Sequence, residues 1–185
     1  MTGLYPRKIL VAILLTLIWL SASNCTGPES EKILFDFESD SELDHFHWQC
    51  HTLFSLSDEH AVHGKKSLKL ELFPSDYPGL VPMLASNNWR GYKTFSFDVY
   101  NTQSKIIPLT VRIDDSKDYP DYPDRYNNTF YLQPGANTVS IPMDMLFTSD
   151  RKRKLDLKMI YSLVIFVAQP SKRIVLYFDN IRLTR

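Results

Sequence analysis

The stretch Thr94-Phe95-Ser96-Phe97-Asp98-Val99-Tyr100-Asn101 alternates apolar and polar side chains without a break, and Leu109-Thr110-Val111-Arg112-Ile113-Asp114 soon repeats the pattern. A period of two sends successive side chains to opposite faces of a pleated strand, so each stretch buries one row and shows the other. Outward from this pair, Leu68, Leu70 and Leu72 alternate with Ser67, Lys69 and Glu71, and Phe130 and Leu132 alternate with Thr129, Tyr131 and Gln133. Residues 162–168 are apolar on both faces, as expected of a central strand covered from both sides, and residues 173–183 supply a last strand or pair of strands. Clusters of Gly, Pro, Asn and Asp separate roughly nine to ten such segments. No repeat at a solenoid or propeller period appears, and the best helical candidates are short turns at 143–147 and 155–161. The pattern predicts an all-β antiparallel sandwich with little helix.

Composition narrows the function classes. The chain has 185 residues, with 21 Lys+Arg against 21 Asp+Glu, and this balance argues against a general electrostatic nucleic-acid binder. Apolar residues at 44% and charged residues at 23% fit neither a disordered chain nor a multi-span membrane protein. Two cysteines do not make a disulfide-dense scaffold or, alone, a four-cysteine zinc site.

The start of the chain reads as an export signal. Arg7 and Lys8 precede an apolar run at 9–20, and Ser21, Ala22 and Ser23 follow it. The run is shorter than the ~20 residues of a membrane-spanning helix. Removal of residues 1–23 leaves 19 basic against 21 acidic residues, a slightly acidic exported protein. Cys25 stands where bacterial lipoprotein signals place the lipid-bearing cysteine, although Asn24 is a departure from that pattern, and with such a signal the leader extends to residue 24. A disulfide with Cys50 is the alternative in an oxidising compartment. Residues 24–32, polar with Gly27 and Pro28, form a linker, and the domain is expected over 33–185. The expected location is therefore periplasmic, lipid-anchored to the cell envelope, or secreted, with membrane contact only through the signal segment or a lipid on Cys25. Asn24-Cys25-Thr26 and Asn127-Asn128-Thr129 are glycosylation acceptors only in a eukaryotic secretory host.

Five motifs in order carry a resemblance: Phe35-Asp36-Phe37-Glu38, His63-Gly64-Lys65-Lys66-Ser67-Leu68-Lys69-Leu70, Trp89-Arg90-Gly91-Tyr92 leading into the 94–101 strand, Leu132-Gln133-Pro134-Gly135-Ala136-Asn137-Thr138-Val139, and the terminal Leu176-Tyr177-Phe178-Asp179-Asn180-Ile181-Arg182-Leu183. Together they resemble the galactose-binding-like jelly-roll superfamily, which includes many carbohydrate-binding modules, over about 33–185. The stretch Asp124-Arg125-Tyr126-Asn127 before the Pro-Gly turn looks like the version of this domain appended to VanZ-like membrane proteins. Complex I intermediate-associated proteins share a similar domain without secreted glycan binding, so function drawn from this fold is analogy. The resemblance also implies a structural calcium ion between the first and last strands. Glu38, the backbone around Lys65 and Lys66, and Asp179 are the matching ligands, in keeping with the preference of Ca²⁺ for hard oxygens.

Residues 114–126 hold five acids, three tyrosines and two prolines, which marks a stiff displayed loop. It lacks the glycine and terminal glutamate of an EF-hand. Aromatic faces and planar polar groups are what a sugar needs, so Tyr100, Arg112, Asp114, Asp124, Arg125 and Tyr126 are the expected ligand contacts. A solvated, proline-stiffened connection is the plain alternative. The rows Ser96/Asp98/Tyr100, Thr110/Arg112/Asp114 and Thr129/Tyr131/Gln133 would share a sheet face if their strands pair, and Trp89 is either an exposed platform or a core anchor. All five histidines fall within 45–63 near Cys50, with His45 and His47 on one strand face, a spacing open to zinc or copper but lacking a complete ligand set. Arg151-Lys152-Arg153-Lys154 is a solvated turn or a contact for anionic glycans or lipid head groups.

No nucleophile elbow, phosphate loop or zinc-protease helix is present. The sequence therefore predicts an exported, non-catalytic module that recognises a carbohydrate or cell-envelope component. The alternatives are an envelope protein–protein interaction module without sugar binding and a small polysaccharide hydrolase or lyase. The core phenylalanines are expected to be Phe95, Phe97, Phe130 and Phe178, which leaves the tyrosines at 100, 119, 122, 126 and 131 for a ligand.

Overall fold

The computed structural model describes residues 30–185, so the export segment, Cys25 and most of the linker lie outside the described residues. Eleven strands form: β1 (Glu31–Phe35), β2 (Phe46–Gln49), β3 (Thr52–Ser57), β4 (Ser67–Leu72), β5 (Gly79–Pro82), β6 (Thr94–Asn101), β7 (Ile107–Asp114), β8 (Tyr126–Leu132), β9 (Gly135–Pro142), β10 (Ser162–Phe166) and β11 (Ile174–Thr184). The first begins two residues before the expected domain start. Three short 3-10 turns, at Asp40–His45, Tyr122–Asp124 and Met143–Met145, are the helical elements among the described residues. The second expected helical stretch, 155–161, is a turn in irregular chain instead: Leu155, Met159 and Ile160 spend their amides on Leu146, Asp156 and Asn87 carbonyls.

Pairing is antiparallel throughout. One sheet runs β3-β4-β11-β6-β9, with β1 also paired to β11; the other runs β2-β5-β10-β7-β8. Chain-consecutive strands β6 and β7, and again β8 and β9, belong to different sheets, the jelly-roll arrangement of an all-β sandwich. The expected all-β fold is present, but the expected sharing of a face by β6, β7 and β8 is not. β7 pairs with β8, whereas β6 pairs with β9 and β11 in the opposite sheet.

The inward rows are those the alternation predicted: Leu68, Leu70, Leu72, Phe95, Phe97, Leu109, Val111 and Ile113 are all buried. Trp89 is a core anchor, fully buried and stacked on Phe95 at 5.1 Å, and Phe95, Phe97 and Phe178 continue the line at 5.9 and 5.7 Å. Large aromatic bodies contribute most to such a core because each removes the most apolar area from water. Phe130 is only half-buried, because β8 is the edge strand where the sandwich opens toward β9. Glycine is needed at 79, where a Cβ would stand 2.1 Å from the Ile165 carbonyl, so β5 closes against β10 only without a side chain.

Aligned partners Glu31–Thr184, Thr184–Thr94 and Thr94–Pro142 cross the first sheet as one row. This row marks one end of the sandwich, where the described chain enters. The 102–106 and 133–134 turns mark the other.

Candidate functional site

The outer face of the five-stranded sheet is built from the residues opposite the core rows. β7 contributes Thr110, Arg112 and Asp114; β8 contributes Asn127, Thr129 and Tyr131; β10 contributes Val164 and Phe166. Thr110 and Thr129 face each other across the ladder with hydroxyls 3.0 Å apart. Beside them lies a groove of about 570 Å³, lined by Tyr77, Thr110, Tyr122, Arg125, Thr129, Tyr131 and Phe166, with Asn127 and Asn128. Tyr77 stands edge-on to Phe166 at 5.5 Å, and the Arg125 guanidinium lies 5.5 Å from the Tyr122 ring centre. Tyr77, Tyr122 and Tyr131 are 48%, 60% and 69% exposed, and rings exposed together along one groove mark an interaction surface. Two lining residues also hold a buried polar atom without a hydrogen-bond partner, Arg125 Nε and Asn127 Oδ1. Each such group costs about 1–3 kcal/mol when left unpaired.

The loop at 115–125 is fixed against this face from two sides. Arg112 donates from Nε and Nη2 to the two Asp114 carboxylate oxygens at 2.9 and 2.6 Å, and Tyr119 lies over the Arg112 guanidinium at 4.1 Å. Burial alone would lower the Arg112 pKa, but the Asp114 carboxylate holds it above its ordinary value. At the loop's base, Arg153 donates to both Asp115 oxygens at 2.6 and 2.9 Å and to Asp124 at 2.7 Å. Burial would raise Asp115, yet hydrogen bonds from Arg153 and the Asp156 amide, with the Arg153 charge, hold it below the usual carboxylate range. Tyr119 has φ 50, a left-handed backbone that a non-glycine residue adopts only when its surroundings impose it.

The six expected ligand contacts are therefore scattered. Arg125 lines the groove. Arg112 and Asp114 are paired with each other and buried, at 6% and 1% exposure, so they support the loop from beneath. Tyr126 points inward, buried, which pushes its phenol pKa up, and Asp124 is engaged by Arg153. Tyr100 belongs to the opposite sheet. There it stacks on His60 at 3.6 Å in a pocket of about 200 Å³ that also includes Asp98, Thr138, Tyr177 and Asp179.

Tyr77 and Phe166 were not among the residues the sequence singled out. Phe166 is hidden in an apolar run whose faces are indistinguishable by composition. Tyr77, however, lies in Asp76-Tyr77-Pro78, and the same tripeptide recurs as Asp118-Tyr119-Pro120 and Asp121-Tyr122-Pro123. All three tyrosines reach the outer face of the five-stranded sheet. The residue before a proline is held out of the helical region, so the tripeptide presents its ring from a restricted backbone.

The implied calcium ligands hold something else. Glu38 Oε1 accepts from the Lys65 and Lys66 amides at 2.7 and 2.8 Å, and Asp179 Oδ2 accepts from those of Val62 and His63 at 2.5 and 2.8 Å. Asp179 Oδ1 takes the Asn180 amide at 2.7 Å, at a bulge where Asn180 has φ 52. The Lys66 and Lys65 amides lower the Glu38 pKa, while burial raises that of Asp179. Gly64 has φ 67, and a Cβ there would lie 2.3 Å from the Glu38 carboxylate, so this turn closes around the carboxylate itself. Backbone N–H groups thus take one oxygen of Glu38 and both oxygens of Asp179, and each carboxylate closes a backbone turn. No set of three His, Cys, Asp or Glu side chains converges on a metal position among the described residues. His45 ends a 3-10 turn, with Nδ1 3.2 Å from the Ser41 carbonyl, and so shares no strand face with His47.

No family model and no curated protein matches this chain. Solved structures do. A family 11 carbohydrate-binding module from Clostridium thermocellum, in complex with a β-1,3-1,4-mixed-linked tetrasaccharide, superposes with a TM-score of 0.62 at 19% identity over 83% of this chain and 95% of that one. An exo-β-agarase matches at 0.67 and 16%, over 82% of this chain but 25% of the agarase chain. The CBM22-1 xylan-binding domain from Paenibacillus barcinonensis Xyn10C matches at 0.55 and 12%, over 85% and 97%. The chain shares the jelly-roll fold of these carbohydrate-binding modules. At such identities the likeness is one of fold.

Proposed function

We propose that this chain is an exported, non-catalytic module that binds a glycan along the outer face of the five-stranded sheet. The observation that carries this reading is the groove in which Tyr77, Tyr122 and Tyr131 stay exposed beside Arg125 Nε and Asn127 Oδ1, which lack partners. Sugar rings offer C–H faces to aromatic planes and hydroxyls to amide and guanidinium groups, so one ligand covers the tyrosines and meets the groove's Arg125 and Asn128 side chains. The held loop presents Tyr122 from a fixed position, which limits the ordering cost of binding. Mixed-linked glucan and xylan, named as the ligands of two similar folds, support the assignment by analogy.

The groove lining contains no carboxylate, whereas glycoside hydrolysis generally uses two, so binding fits these residues better than cleavage. A glycan array probed with the purified chain tests the proposal. Saturable binding to one polysaccharide class, lost in Tyr77→Ala, is expected. Binding that survives Tyr77→Ala, Tyr122→Ala and Tyr131→Ala together would place the ligand elsewhere.

A further inference from the structure

One end of the sandwich gathers features that the groove does not use. The Glu31–Thr184–Thr94–Pro142 row lies there, and the 83–93 and 143–161 segments cap it, joined by the Lys93–Thr184, Met143–Lys93 and Ile160–Asn87 backbone hydrogen bonds. Met83, Met145, Met159 and Tyr161 are 39%, 52%, 39% and 44% exposed, and all four belong to this end. Every exposed methionine among the described residues is one of them.

Next to Met145 the unsealed seam between β8 and β9 leaves a groove of about 400 Å³ floored by Phe130, Ile141 and Phe147. Arg151 and Lys154 stand over the Phe147 ring at 5.8 and 5.2 Å. Charge follows the same bias. Asp150 is taken by Lys152, and Arg153 by Asp115 and Asp124. Outside ion pairs, the two capping segments and Arg185 carry Arg90, Lys93, Arg151, Lys154, Lys158 and Arg185 against Asp144 and Asp156.

We infer that this end docks on an anionic lipid surface, with Met145 entering the headgroup boundary and Arg151 and Lys154 meeting lipid phosphates. Unbranched and aromatic apolar side chains ringed by cations are the composition that partitions to such an interface. Exposed methionines would gain nothing from an acidic polysaccharide, which supplies charge but no acyl layer. The point of entry agrees: the residues before Ser30, Cys25 among them, join the fold at this end. Attachment through them brings this end toward the bilayer and leaves the side-facing tyrosine groove open.

The test uses the mature chain, residues 24–185, carrying Cys25→Ser and Cys50→Ser, with one new labelling site. The site is either Met145→Cys or, at the far end, Ile106→Cys, coupled to an environment-sensitive dye. On vesicles containing about 30% phosphatidylglycerol the dye at 145 should shift to the blue and the dye at 106 should not, and high salt should reverse the shift. Adding Arg151→Asn and Lys154→Ser should weaken the response tenfold or more, at about fivefold per charge; Asn suits the left-handed backbone at 151, where φ is 58. Equal responses at 145 and 106, equal responses on uncharged phosphatidylcholine, indifference to the charge substitutions, or capture by an acidic polysaccharide but not by vesicles would each overturn the inference.

Discussion

The two outer faces of the sandwich carry similar polar rows and put them to opposite uses. On the six-stranded sheet, Asp98 accepts from Thr138 at 2.6 Å, Asn180 at 3.1 Å and Arg182 at 2.7 Å, and Arg182 continues to Glu31 at 2.8 Å. His60 stacks on Tyr100 and meets Tyr177 edge-on, and the Tyr177 hydroxyl binds Glu59. Burial and then Glu59 push the Tyr177 pKa to about 12, so its proton stays in place. That face spends its charged and aromatic side chains on one another, and leaves Asn180 Oδ1 as its buried polar atom without a partner. The five-stranded face leaves Tyr77, Tyr119, Tyr122 and Tyr131 exposed, and an exposed aromatic face is where an external partner gains most.

The largest effect that separates the faces is on stability. Asp98→Ala removes three hydrogen bonds at once and leaves the mostly buried Arg182 with Glu31 as its carboxylate partner, and should cost about 3 kcal/mol in denaturant unfolding while glycan affinity stays unchanged. Lost affinity with intact stability would show that Asp98 contacts the ligand and would erase the contrast. Tyr131→Ala should do the reverse, weakening binding about tenfold by titration calorimetry with stability held within about 0.5 kcal/mol.

A smaller effect belongs to neither face. Burial, reinforced by Asp36, raises the Glu42 pKa to about 7 from its ordinary value of 4.5. The folded state therefore holds a proton that the unfolded state releases between these values, and this group's contribution falls as pH rises from about 4.5 to about 7. Glu42→Gln should flatten that part of the stability profile, and an unchanged slope would assign the titration to another group. The smallest expected effect is none: EDTA should leave the melting temperature where it is. A drop restored by calcium would show that the Glu38 and Asp179 turns open to hold an ion.

Strand rows were legible because the period of two survives in β4, β6, β7 and β8, and residues such as Phe97 and Val111 cannot face water at that spacing. Sheet membership was not, since Tyr100 and Arg112 sit in equivalent local patterns and only the crossover between β6 and β7 sends them apart. The Arg112–Asp114 pair looked like any solvent row; its burial depends on Tyr119 folding back from a loop. Of the groove, Arg125 was picked out as a ligand contact, and Tyr122 and Tyr131 were left over once the core was assigned. Tyr77 was missed because its loop is distant in sequence, though its Asp-Tyr-Pro tripeptide matched two others.

The most direct test of the central claim is a nuclear magnetic resonance titration of the isotope-labelled chain with the polysaccharide that the array identifies. The account predicts shifts at Thr110, Asn127, Thr129, Tyr131 and Phe166, with Ser96, Asp98, Tyr100 and Thr138 unmoved. Shifts centred on Asp98, Tyr100 and Thr138 would contradict it.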